Sequence, residues 1–269
     1  MIRFRHVLVL AAAFSCVALM APREARAAAD VRKMSLVLSG VPTQFQGGDV
    51  NDAIDYYNAL QIRPRGYEEL DKLAFAWLYG ADLRYFVRPN FAISAGVSHL
   101  RISSHREYLP ALAQAVDVRF DVLTVPIHLG TAYYLQPYNL GDFSARMFVG
   151  GGLLQYAYTR STFQQVLTRP DSVTAAILGG SQKIVLSQEG PGYYAEGGVQ
   201  LWFASRYGVL MSAVYRSGEL RDARQIGLYR GGNLQNVATG DVFTNPLTGE
   251  PFMLDVGGLG VRFGAVIQF

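Results

Sequence analysis

An all-β chain closed as an up-and-down antiparallel β-barrel is what three features of the sequence predict together. Period-two alternation recurs in segment after segment, short joints alternate strictly with long ones, and aromatic residues gather at one end of the expected strands. Composition permits such a fold. Half of the 269 residues are hydrophobic, and only 17% are charged against about 25% in an ordinary soluble domain. The formal charge of +3 has a local origin. Arg3, Arg5, Arg23 and Arg26 stand against Glu24 within residues 1–27, so residues 28–269 hold acids and bases in equal number. A nucleic-acid partner is therefore not expected.

The first element is a leader. A basic start is followed by an apolar run over 7–20, and Ala25-Arg26-Ala27 offers a small-residue cleavage site, so residues 1–27 read as a secretory signal and 28–269 as the barrel domain. The run is shorter than the about 20 residues a helical span needs. Cys16, the one cysteine, lies inside it. The exported chain is then cysteine-free, which excludes disulfides, thiolate metal sites and thiol nucleophiles.

Eight strands follow. After a weak first strand at 32–41, the segment 73–88 carries Phe75, Trp77, Tyr79, Leu83, Tyr85 and Val87 on one row, and Gly80, Asp82, Arg84 and Arg88 on the other. Segments 91–98 and 122–136 repeat the pattern, the latter setting Leu123, Val125, Ile127 and Leu129 against Thr124, Pro126, His128 and Gly130. In 143–153 and 193–203 the small row holds Arg146 and Glu196. Segment 207–215 is less clean, with Leu210 and Val214 on the supposedly polar row. Segment 259–269 is the clearest, with Leu259, Val261, Phe263, Ile267 and Phe269 against Gly260, Arg262, Gly264 and Gln268. The bulky row is free of charge and the opposite row is small or ionisable. This is the inverse of a soluble barrel and the pattern of one that spans a membrane, with lipid outside and a narrow lumen inside. Closure also satisfies every backbone polar group in hydrocarbon.

Joints at 88–90, 137–142 and 205–206 are short, whereas 42–72, 103–116, 164–192 and 218–252 are read as long loops. That is the alternation of periplasmic turns and extracellular loops. Tyr85, Phe91, Tyr133, Phe143, Phe203, Tyr207 and Phe269 lie on the bulky row beside the short turns and the last residue, as a periplasmic aromatic girdle would. Within the first long loop, Val50, Ala53, Ile54 and Tyr57 have helical spacing after Asp49, so a short amphipathic helix capped by Asp49 is expected.

With these residues in view, 32–269 resembles the small outer-membrane β-barrel superfamily of Gram-negative envelopes, and is similar to its outer membrane protein X-type and W-type barrels. The resemblance implies residence in the bacterial outer membrane among lipid and lipopolysaccharide. It also implies that the last strand, ending in Phe269, is the signal read by the barrel insertion machinery. The first, third and fourth loops are longer than in those barrels, which leaves ten strands open as an alternative to eight, with a hairpin at 243–252 as the candidate pair.

Few residues suggest chemistry. Gly150-Gly151-Gly152 has no following Lys-Ser or Lys-Thr, and residues 47–52 miss the spacing of a calcium loop. His99, Ser103 and His105 are the residues that could suggest a lipid A hydrolase site. The resemblance would place the serine two residues after the histidine, and here three intervene. No enzyme, cofactor or metal is expected. Asp82, Arg84, His128, Arg146, Glu196 and Arg262 form the candidate lumen network. They either pair across a filled interior or line a selective passage. Pairing is favoured, because an eight-stranded interior is just wide enough for side chains to fill. The expected role is structural or surface-interacting, carried by a monomer whose long loops meet an unidentified extracellular ligand. Narrow passage of small solutes or hydrophobic compounds comes second, and lipid A modification third.

Overall fold

The computed structural model describes residues 33–111, 114–140, 143–168, 180–203, 206–230, 233–234, 242–245 and 248–269. The leader read at 1–27 lies outside the described residues. Eight antiparallel strands form a closed ring: β1 (Met34–Gln44), β2 (Phe75–Arg88), β3 (Phe91–Ala111), β4 (Gln114–Tyr134), β5 (Phe143–Thr168), β6 (Gln182–Trp202), β7 (Tyr207–Ser217) and β8 (Gly258–Gln268). Each pairs with its neighbour in sequence, and β8 closes on β1 through Ser35↔Gln268 to Thr43↔Gly260. The seam is tied by reciprocal backbone bonds between Met34 and Phe269. The ring has eight strands, not ten. The 243–252 segment does turn back on itself, through Thr244↔Pro251 and Phe252 N–H to Phe243 C=O, but it stands outside the ring.

One side of the ring is tall. β3, β4 and β6 have 21 residues and β5 has 26, against 11 in β1, β7 and β8. Ten extra residues extend a strand by roughly 30 Å. The segments 103–116 and 164–192 are thus largely strand rather than loop, with a further strand, Arg224–Arg230, added to the upper part of β6. The cause is visible on β4. Up to Leu123 its apolar residues point outward, and beyond it Asp121, Arg119 and Asp117 take the outer row while Val122, Phe120, Val118 and Val116 turn inward and are buried. The alternation continues but its two rows exchange character, because lipid outside gives way to water. The exchange falls beside a bulge in the β4–β5 ladder at Val125/Pro126.

This wall is roofed by the first long connection. Helix α1 (Asp49–Tyr57) continues as a π-turn (Asn58–Ile62) and a 3-10 turn (Arg63–Arg65) that stops at Gly66, where φ is 70°. Val50 and Ile54 face the wall and are buried. The N-cap is Gly48 rather than Asp49, and no side chain caps the helix. Asp49 is its first residue, and its Oδ2 accepts the Met253 N–H at 2.7 Å, because the 253–255 segment passes within reach. Asn51 and Asn58 each exchange two hydrogen bonds with the returning chain, at Leu73 and Leu70. Sheet wall and helix enclose an apolar core, here called the head.

The lumen is layered. At the short-turn end the Tyr134 ring stacks on Phe148 at 5.4 Å and meets Phe86 tilted at 5.3 Å, among Val37, Leu210 and Val266. A charged layer lies above. Higher still, Leu78, Leu100, Leu154, Tyr156, Leu220 and Leu254 form an apolar layer continuous with the head. The interior is thus not uniformly small and polar. Only the middle layer is, since apolar residues on the inner row, Leu210 and Leu154 among them, fill the ends.

Candidate functional site

Two places concentrate function-bearing residues. The first is the middle layer of the lumen. Arg84 donates from Nη2 to Glu196 Oε1 at 2.9 Å and from Nη1 to the Tyr134 hydroxyl at 2.7 Å. Arg262 donates from Nη1 to the other Glu196 oxygen at 3.1 Å, from Nε to Ser39 Oγ at 3.0 Å, and from Nη2 to Asp82 Oδ2. His128 Nε2 lies 2.7 Å from Asp82 Oδ1. Two guanidinium groups therefore face two carboxylates, and all four are buried. A layer of zero net charge with near-complete pairing is the arrangement a low-dielectric interior requires. Gly96 makes room for it: a Cβ there would stand 2.5 Å from Asp82 Oδ1 and 2.6 Å from a His128 ring carbon. Arg146 is not part of the cluster. It lies near the short-turn end, with Nη2 on the Pro89 carbonyl at 3.0 Å and its guanidinium over the Tyr134 ring.

Of the girdle residues, Tyr85, Phe143, Phe203, Tyr207 and Phe269 are exposed on the outer face, and Phe143 meets Phe203 edge-on at 5.7 Å. Phe91 and Tyr133 are half-buried and sit directly opposite one another across the β3–β4 ladder. His99, Ser103 and His105 lie on the outer row of β3, and His105 pairs with Asp117 at 3.1 Å. Among the described residues, no three His, Asp or Glu side chains converge as a metal site would require.

The second place is a cavity of about 350 Å³ between α1 and the tall wall. Ala53 and Tyr57 form one side, Phe120, Phe163, Ile184 and Leu186 the other, and Phe243 and Phe252 close an end. Phe120 and Phe163 pack at 4.8 Å, and the Tyr57 ring leans on both. Its hydroxyl donates to Gln165 Oε1 at 2.8 Å, and the buried Gln165 amide in turn donates to the Gly180 carbonyl. Burial holds the Tyr57 phenol well above its ordinary range. A mostly apolar cavity with a few placed polar groups is the usual form of a small-molecule site. Sequence reasoning missed it, because most of its walls fall in segments read as loops. The signal was present in the apolar even row Val116, Val118, Phe120 and Val122.

A closed antiparallel ring, with a charge-free apolar outer row below and a charged one above, defines a transmembrane β-barrel of the bacterial outer-membrane class. No family model matches the chain, and no curated protein matches it in sequence. Three solved structures are similar to it. OprG of Pseudomonas aeruginosa is 11% identical, with 89% of this chain and 99% of that chain covered and a TM-score of 0.45. Ail of Yersinia pestis, solved with the heparin analogue sucrose octasulfate, is 12% identical over 88% and 98%, with a TM-score of 0.36. AlkL, solved in DMPC bilayers, is 12% identical over 93% and 97%, also with a TM-score of 0.36.

Proposed function

We propose that the chain is a monomeric, non-enzymatic surface-binding protein whose membrane ring is a filled pedestal and whose extracellular head captures a small apolar molecule. The cavity under α1 is the observation that carries this reading. The layered lumen supports the pedestal role, since aromatic, ionic and aliphatic layers succeed one another along the axis. Ring closure supports the monomer, because it leaves no unpaired strand edge in the lipid. The proposal includes lipid and lipopolysaccharide as the surroundings of the outer face, and the strand ending in Phe269 as the segment presented to the insertion machinery.

The test is equilibrium dialysis of radiolabelled naphthalene against the protein in lipid nanodiscs, with empty discs as the blank. The expected result is retention of about one molecule per chain above the blank, abolished by Ala53→Trp, which fills the cavity, and kept by Tyr57→Phe. Equal retention by protein-bearing and empty discs overturns the reading. Planar-bilayer recording tests the alternative of a narrow passage. Discrete openings from purified protein would replace the pedestal with a pore.

A further inference from the structure

Arg216 stands on the inner row of β7 near its outer end, opposite Tyr194 of β6 and Gly258 of β8, and is 5% exposed. Its Nη2 donates to Thr43 Oγ1 at 2.8 Å, while Nε and Nη1 meet no acceptor among the described residues. No carboxylate among the described residues lies within the 4.0 Å of an ion pair. The contrast with the rest of the interior is sharp. Arg84 and Arg262 share Glu196 and Asp82, so the middle layer is balanced without Arg216. Asp255, on the segment that passes above, turns its Oδ1 to the Gly257 N–H instead. A buried guanidinium left without a counter-charge is among the costliest arrangements a protein interior can hold.

A third donor adjoins it. The Tyr156 ring lies over Gly192 and Gly218, the latter two residues from Arg216, and its buried hydroxyl also lacks a partner among the described residues. The neighbouring layer is mostly aliphatic, formed by Leu220, Leu254 and Val256, with the Asp255 carboxylate near enough to act on the Tyr156 phenol. Two guanidinium N–H groups and a phenol O–H in an apolar enclosure are complementary to one compact negative charge. We propose that Arg216 and Tyr156 hold a small monovalent anion, chloride or a short carboxylate, in the upper lumen. The single uncompensated charge sets the valence, and the surrounding aliphatic side chains set the size. The site is separate from the cavity under α1, and its occupancy stabilises the join between ring and head, where β7 meets the segment that covers it.

The experiment refolds the full chain from urea into detergent micelles in sodium chloride, sodium formate or sodium gluconate at equal ionic strength, and reads the unfolding temperature. An anion that binds only the folded state raises that temperature with the logarithm of its concentration. Chloride, formate or both are expected to do so, and bulky gluconate is not. Chloride alone identifies a halide site, and formate alone a carboxylate site. Arg216→Met is expected to abolish the difference between salts, Tyr156→Phe to weaken the apparent anion affinity about tenfold, and Ala53→Trp to leave it unchanged. Should Arg216→Met fail to refold, chloride-35 line broadening by the wild-type protein, competed by formate, gives the same answer. Equal unfolding temperatures in all three salts with no line broadening, or an undiminished salt response in Arg216→Met, overturns the proposal.

Discussion

Replacing Glu196 with Gln removes one charge from the middle of the lumen and almost no volume. Two charge-assisted bonds converge on that carboxylate, at 2.9 Å from Arg84 and 3.1 Å from Arg262, and all three side chains are buried. The layer would pass from two cations and two carboxylates to a net charge of +1, with one amide oxygen left to accept where two carboxylate oxygens had served Arg84 and Arg262. Breaking a buried pair in this way costs about 3–5 kcal/mol. A pair bathed by water in an open passage would lose about 0–1 kcal/mol. Urea unfolding of protein refolded into short-chain lipid vesicles, followed by tryptophan fluorescence, separates the two cases. The midpoint should fall while the slope with denaturant stays constant. Adding Arg84→Met returns the layer to neutrality, so the double variant should be less destabilised than the sum of the singles. A loss below about 1 kcal/mol for Glu196→Gln, with an unchanged slope, would refute the sealed, ion-paired interior.

Leu129, 61% exposed on the outer row of β4, should cost about 2–4 kcal/mol when changed to Arg. Thr162→Arg, on the outer row of β5 opposite Asp121, should change stability by less than about 0.5 kcal/mol in the same assay. Tyr57 supplies a pH test, since burial raises its phenol above the ordinary 10.0. The folded head thus favours the protonated ring, a contribution complete below pH 10.0 and lost as pH rises toward the elevated folded value. Unfolding temperatures recorded from about pH 9 to pH 11 should fall more steeply for the wild type than for Tyr57→Phe.

The ring was legible where a single rule held along the whole strand. In β8 every second residue from Leu259 to Phe269 faces lipid, and nothing on that row carries charge. On β7 the same rule misreads Leu210, which packs into the aromatic layer with Phe86, Tyr134 and Phe148, and Val214, an inward apolar residue opposite Glu196. The tall wall escaped for a related reason. A reader who expects the bulky row outside meets Val116, Val118, Phe120 and Val122 on the wrong row and infers a loop. Helix α1 was visible in the spacing of Val50, Ala53, Ile54 and Tyr57, but its cap was not, since Asp49 is engaged by Met253, 204 residues away. Asp82, Arg84, His128, Glu196 and Arg262 could be nominated from the small row. That Glu196 serves two arginines could not, because those partners are 112 and 66 residues distant and meet only when the ring closes. Arg216 escaped altogether, lying just past the end of the segment recognised as β7.

The exchange of rows between Asp121 and Leu123 also acts as a depth gauge. Sinking the ring by one residue pair, roughly 6.6 Å along the strand, would drag Asp121 below the waterline, and with it the Arg101 that clasps it at 2.9 Å. Lifting it by as much would strand Leu123 and Val125 in the aqueous layer. The protein therefore floats at one draught, and the head is held at a constant height above the bilayer.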